Sequence, residues 1–185
     1  MKKYIWTLTL LTTQILTTIA QDRIEWDANK KLTVNDFKRT PPDPSTKQSL
    51  IAKKGIESNF NKDEVKNLKS FNGQITNYFY PNDSWILWTD ASRLRYFQTC
   101  FDIDEWMART LRKRCNDNRE LILKGEYEKI RTAVESEFKA IREQYDAETE
   151  YGEDAVGQMN WERKISDQLL WYSDYCKTCE PKRKN

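Results

Sequence analysis

The chain contains no histidine in 185 residues. Its chemistry therefore falls to cysteines, carboxylates and phenols. No Ser-His-Asp or Cys-His arrangement can form. A chain with five glycines shows no phosphate-cradling glycine loop. Four cysteines remain: Cys100, Cys115, Cys176 and Cys179. In an oxidising compartment they allow two disulfides in three connectivities. Cys100 and Cys115 fall on what reads as one helix, over roughly 20 Å apart at 1.5 Å rise per residue, which rules out a bridge between them. Cys176-x-x-Cys179 has the spacing of a redox pair, but no thioredoxin-like βαβ pattern surrounds it. A structural bridge from one of these two to Cys115 is expected instead. Zinc held by four cysteines would need a second C-x-x-C pair. Carboxylate pairs such as Glu135 with Glu137 read as the solvated face of an amphipathic helix.

The elements that must position these groups divide the chain into two halves. Arg23 to Trp26 reads as a short strand, Leu32 to Phe37 as a short apolar-punctuated piece, and Pro41 to Ser45 as a rigid loop. Strands are expected in Ser49–Phe60, in Gln74–Tyr80 with its β-branched and aromatic residues, and in Trp85–Trp88. Asn61 to Ser70 is charged and reads as a loop or short exposed helix. From Asp90 onward the chain is helical. Asp90 or Ser92 is the expected cap, and the first helix runs to about Cys115. A second helix carries Leu123, Tyr127, Ile130, Val134, Phe138, Ile141 and Tyr145 in one stripe, and a third carries Trp161, Ile165, Leu169 and Tyr172. Gly152 separates these two. Strands followed by long helices predict an α+β fold.

In the first helix, Tyr96 and Cys100 stand one turn apart on one face, with Phe97 beside Tyr96. A zinc protease of the H-E-x-x-H type places two imidazoles at this i, i+4 spacing and a glutamate next to the first, which takes a proton from metal-bound water. Gln98, Phe101, Asp102 and Ile103 lie in frame with the pattern H-E-Q-x-H-F-D-I. The chain resembles a bacterial secreted zinc-metalloprotease family classed as a domain of unknown function, over most of residues 21–185. Leu32-Thr33-Val34-Asn35-Asp36-Phe37 is similar to its L-T-W-x-D-F motif, and Ser84-Trp85-Ile86 to its S-W-V strand. Ala108-Arg109-Thr110-Leu111-Arg112 is similar to A-R-K-L-R. Tyr145-Asp146-Ala147-Glu148-Thr149-Glu150-Tyr151-Gly152 is similar to Y-D-x-E-T-x-H-G, and Gln158 to Ile165, with Trp161 and Lys164, to Q-x-x-W-x-x-K-I.

The resemblance implies a zincin-like fold, with a small, mostly antiparallel sheet packed against a former zinc helix and two further long helices. It also implies a degenerate site. Tyr96 and Cys100 stand at the two histidines, Phe97 at the glutamate and Tyr151 at the third ligand. No catalytic, metal or cofactor residue is then expected. Phenylalanine moves no proton, and a phenol with a pKa of about 10 is a poor ligand at neutral pH. Side chains are expected to fill the old pocket, with Asp102, Glu148 or Glu150 as acceptors for buried tyrosine hydroxyls. The alternative is an active hydrolase with a rebuilt site in which Cys100 is joined by Asp102, Glu148 or Glu150.

Lys2, Lys3, the apolar run Tyr4–Ile19 and the small residue Ala20 predict a signal peptide over residues 1–20, leaving one domain over residues 21–185. That implies an exported protein, periplasmic or secreted in a Gram-negative bacterium, with no membrane span once the signal is removed. Removing it takes two lysines from 31 basic residues and balances the 29 acidic ones. Near-zero charge and a short basic tail, Lys182-Arg183-Lys184, argue against a nucleic-acid partner. The functional expectation is a pseudo-enzyme with a binding or structural role in the cell envelope. Exposed aromatics such as Trp171 and Tyr172 are the candidate contacts for an envelope partner.

Overall fold

The structure is a computed structural model that describes residues 22–42, 50–87 and 91–179. The expected signal peptide, most of the proline loop, the Asp90 cap, Trp88 and the basic tail lie outside them. The fold is α+β, with a small antiparallel sheet and several long helices, as expected. Strand β4, Ile75–Phe79, lies between β1, Ile24–Glu25, and β3, Lys54–Ser58. Both pairings are antiparallel, with Ile24 and Lys54 each opposite Phe79. A separate pair joins β2, Leu50–Ile51, to β5, Trp85–Ile86. Within the charged stretch 61–70, α1 is a short helix, Lys62–Val65, capped by Asn61.

Helix α2, Ala91–Asp117, is the organising element. It packs on β4, on α4, Tyr127–Thr149, and on α5, Ala155–Trp171. Alternation along β4 puts Ile75, Asn77 and Phe79 on one face, all with 0% exposure. The Asn77 side chain donates to the Phe101 carbonyl of α2 at 3.0 Å. The expected stripe on α4 is its buried face, with Ile130, Val134, Phe138 and Tyr145 in the core. Leu123 does not belong to that helix. It closes α3, Arg119–Leu123, and Gly125 then adopts φ +82°, which breaks the helical path before Tyr127.

Asp154 caps α5 by accepting from the Val156 and Gly157 amides at 2.8 and 3.1 Å. Gly157 lets α5 approach α4 closely, because a Cβ there would stand 2.1 Å from the Glu148 carbonyl oxygen. Charge is also buried. Asp104, Glu105, Arg109 and Arg112 of α2 are at most 3% exposed. Asp104 joins Lys54 of β3 to Arg142 of α4. Charged runs on this helix are therefore not all solvated faces. No helix among the described residues is long and apolar enough to cross a membrane.

Candidate functional site

Three of the four candidate positions lie toward one end of α2, with Tyr151 against Tyr96. Tyr96 and Cys100 share a face of the helix, and Tyr151 arrives from the turn that follows α4. The Tyr96 and Tyr151 rings are 6.4 Å apart. The turn has an unusual backbone, because Glu150, Tyr151 and Gly152 have φ of 49°, 55° and 90°. Left-handed conformations at two consecutive non-glycine residues cost about 1–3 kcal/mol each. Arg93 holds this turn through the Tyr151 carbonyl and through Glu153 at 2.6 Å. Gly152 lies so close to the helix that a Cβ would stand 2.6 Å from Tyr96 Cβ.

The interior of this site is packed. The Tyr96 ring stacks on Tyr145 at 5.1 Å, and Trp161 meets Tyr145 edge-on at 5.4 Å. The Tyr96 hydroxyl donates to Asp146, which replaces Asp102, Glu148 and Glu150 as the expected acceptor. The Tyr145 hydroxyl lies 3.0 Å from the Tyr96 carbonyl and 2.8 Å from Gln158 Oε1. Burial pushes both phenols well above the ordinary tyrosine range. Burial likewise pushes the Cys100 thiol up to about 12; Asp104 adds to the shift and Lys54 opposes it.

Phe97 points elsewhere. It is buried with Phe37, Phe79 and Phe101 at centroid distances of 5.8, 5.6 and 6.5 Å. Tyr151 departs from the expectation of a filled core, because it is 59% exposed. Its left-handed backbone lays the ring over the edge of Tyr96 rather than into the interior.

The in-frame motif residues have structural partners. Asp102 accepts from Trp26 Nε1 at 2.7 Å, Lys31 Nζ at 2.9 Å and Gln98 Nε2 at 2.9 Å. Gln98 Oε1 in turn accepts the Leu32 amide at 2.9 Å. Together they tie the entry segment onto α2. Glu148 is exposed and accepts from Trp161 Nε1 and Gln144 Nε2, each at 2.7 Å. Cys100 is therefore not joined by these carboxylates. Among the described residues no group of three or more histidine, cysteine, aspartate or glutamate side chains is arranged to hold a metal ion.

A groove of about 1310 Å³ runs along a different face of α2. Leu94, Gln98, Asp102 and Arg109 line one wall, and Ile165 and Leu169 of α5 line another. At 100° per residue these α2 positions lie roughly opposite Tyr96 and Cys100. Arg95 and Glu162 pair across its edge at 2.6 Å. In the last turn of α5, Leu170 is 64% and Trp171 82% exposed, whereas Tyr172, its C-cap, is half-buried.

The cysteines correct the expected pairing. Cys176 bonds to Cys179, and Cys100 and Cys115 are free thiols. Cys115 is buried in the same core cluster as Met107 and Leu111, whereas the C-x-x-C turn lies at the groove. Both Cys100 and Cys115 lie on α2, so a bridge between them is excluded, as the spacing predicts. Neither the groove nor the buried charges can be read from local sequence pattern, since both arise from packing between distant segments. No family model, curated protein or solved structure matches the chain.

Proposed function

We propose that the protein is an exported pseudo-enzyme of the metalloprotease-like kind. On this reading a zincin-like scaffold has lost its zinc site and uses the groove on the other face of the same helix to hold a polypeptide segment of an envelope partner. The observation that carries it is that the turn bearing Tyr151 reaches Tyr96, on the helix face that Tyr96 shares with Cys100. These residues come from two segments far apart in sequence, and they are the three positions that the family resemblance pairs as metal ligands. The strained turn supports the same reading, because left-handed non-glycine residues cluster where a chain must deliver a side chain to a site.

The groups now present are poor donors. Metal binding needs deprotonated ligands, and burial holds the phenol of Tyr96 and the thiol of Cys100 in their protonated forms. The same shift disfavours a rebuilt hydrolytic centre on Cys100, since the thiolate is the nucleophile. The groove exceeds the roughly 300–1,000 Å³ of small-ligand pockets, which favours a peptide as occupant. Its apolar floor and paired charges, Lys31 with Asp102 and Arg95 with Glu162, suit an extended segment of mixed composition.

Zinc measured by mass spectrometry, in protein purified without a histidine tag, should be well below one equivalent. Near-stoichiometric metal that disappears in Cys100→Ser overturns the reading. The converse experiment combines Tyr96→His, Cys100→His and Tyr151→His, leaving Phe97 in its aromatic cluster. The folded triple variant should gain zinc affinity, and a folded variant that gains none refutes the positional match. For the groove, cross-linking in a cell-envelope extract should capture a partner that Leu169→Asp loses. Equal capture by that folded variant places the contact elsewhere.

A further inference from the structure

One wall of the groove holds a charge imbalance. Glu105, Arg109 and Arg112 are all at most 2% exposed. Glu105 Oε1 accepts from Arg109 Nε at 3.0 Å and from Arg112 Nη1 at 2.8 Å. One carboxylate thus serves two guanidiniums. Arg112 is completed by the carbonyls of Ile75 and Tyr175, at 2.8 and 2.9 Å. Arg109 also donates to the Leu169 carbonyl. Neighbouring charges are matched among themselves: Asp102 with Lys31, and Glu25 with Lys177. Asp174 is exposed. A guanidinium buried without its own anion is costly.

What Arg109 meets is sulfur. Its Nη2 lies 3.1 Å from Cys176 Sγ and 3.5 Å from Cys179 Sγ. The Cys179 amide donates to Cys176 Sγ at 3.0 Å. A neutral disulfide sulfur is a weak acceptor, whereas a thiolate would form charge-assisted bonds with both donors and supply the missing anion. Cys176 is 8% exposed, Cys179 is more open, and both line the groove.

We propose that Cys176–Cys179 is an exchangeable disulfide that oxidises a dithiol peptide lying in the groove, with Cys176 departing as a thiolate against Arg109. A thiolate of the peptide attacks Cys179 Sγ, the more accessible sulfur. The Cys176–Cys179 bond breaks, its electron pair passes to Cys176, and a mixed disulfide joins Cys179 to the peptide. The second peptide sulfur, deprotonated, attacks the first and releases Cys179, which takes up a proton. The peptide loses two electrons and becomes a disulfide. The protein gains them as a Cys176 thiolate and a Cys179 thiol, and a fully protonated dithiol releases one proton to water. Stabilising the departing thiolate raises the oxidising power of the bridge. This inference rests on the peptide reading of the groove and not on the loss of the zinc site.

The test begins with the reduced protein, titrated by its ultraviolet thiolate absorbance. One thiolate should form below the ordinary cysteine value of about 8.5. The equilibrium with glutathione, read by alkylation and mass, should shift about tenfold or more toward the disulfide in Arg109→Met, one order for each pKa unit gained by Cys176. Arg109→Lys, which keeps the charge, should recover part of the shift. A synthetic peptide carrying two cysteines should be oxidised, and acid quenching should trap it on Cys179. A wild-type titration with no thiolate below the ordinary value overturns the proposal whether or not the variants fold. So does an Arg109→Met equilibrium within about twofold of wild type, since one pKa unit corresponds to tenfold. In either case the bridge is a structural staple only.

Discussion

The two sides of α2 give cysteine sulfur different surroundings. On the face that carries Tyr96, Cys100 lies one turn away from it, and burial drives its thiol up to about 12. Further along the helix nothing but burial acts on Cys115, and it too is pushed up to about 12. On the groove side, Cys176 is also buried, yet a guanidinium and an amide N–H aim at its sulfur. Burial raises the two free thiols, and at Cys176, which is buried as Cys115 is, the exchange proposed above turns on the neighbour instead. Burial keeps a thiol protonated, whereas an unmatched cation favours the thiolate.

The sharpest way to break this contrast is Glu105→Gln. It would leave Arg109 and Arg112 buried with no carboxylate and should cost about 3–5 kcal/mol in urea unfolding. A loss below about 1 kcal/mol, the level of an exposed pair, would mean that the cluster is solvated and not short of an anion. Next in size is Gly152→Ala, which adds a Cβ to a residue at φ +90° pressed against Tyr96. A loss of about 1–3 kcal/mol is expected. A neutral result would show that the turn can move away from the Tyr96 face of the helix. Tyr96→Phe removes the bond to Asp146, and because Asp146 is only half-buried the loss should be about 1 kcal/mol or less.

The smallest effect at neutral pH lies in the alkaline limb. The folded-state pKa values of Cys100 and Cys115 are raised from 9.0 to about 12, so the unfolded chain loses these protons first. The contribution is complete below about pH 9 and is lost as pH rises toward about 12. In Cys100→Ser combined with Cys115→Ser, stability measured across that window should fall less steeply. An unchanged slope would remove the thiols as the cause.

Much of the fold was legible because it rests on local periodicity. The apolar spacing of Ile130, Val134 and Phe138 marks the inner face of α4, and the β-branched and aromatic run around Ile75–Phe79 marks the central strand. The break at Gly125 was missed because Leu123 and Tyr127 stay in phase across it. In the site, the helical spacing of Tyr96 and Cys100 was readable. The exposure of Tyr151 was not, because it follows from a backbone conformation that its residue type does not favour. Asp146 as the partner of Tyr96, and Arg109 as the partner of sulfur, depend on helices meeting across long separations. Helix pattern alone marks charged positions as surface. Only the Glu105 network shows why these arginines are inside.

The pairing of Lys177 with Glu25 and Thr76, at 2.8 and 3.1 Å, has a consequence for how the protein is made. It ties β1 to a residue 152 positions further along the chain. A polypeptide leaving the ribosome cannot close this contact, or seat Cys176 beside Arg109, until residue 177 has emerged. The central helix must meanwhile carry its arginines and glutamate in water. Completion of the domain is thus a late, long-range event in its synthesis, and a chain truncated before Cys176 should leave that helix without its last cover.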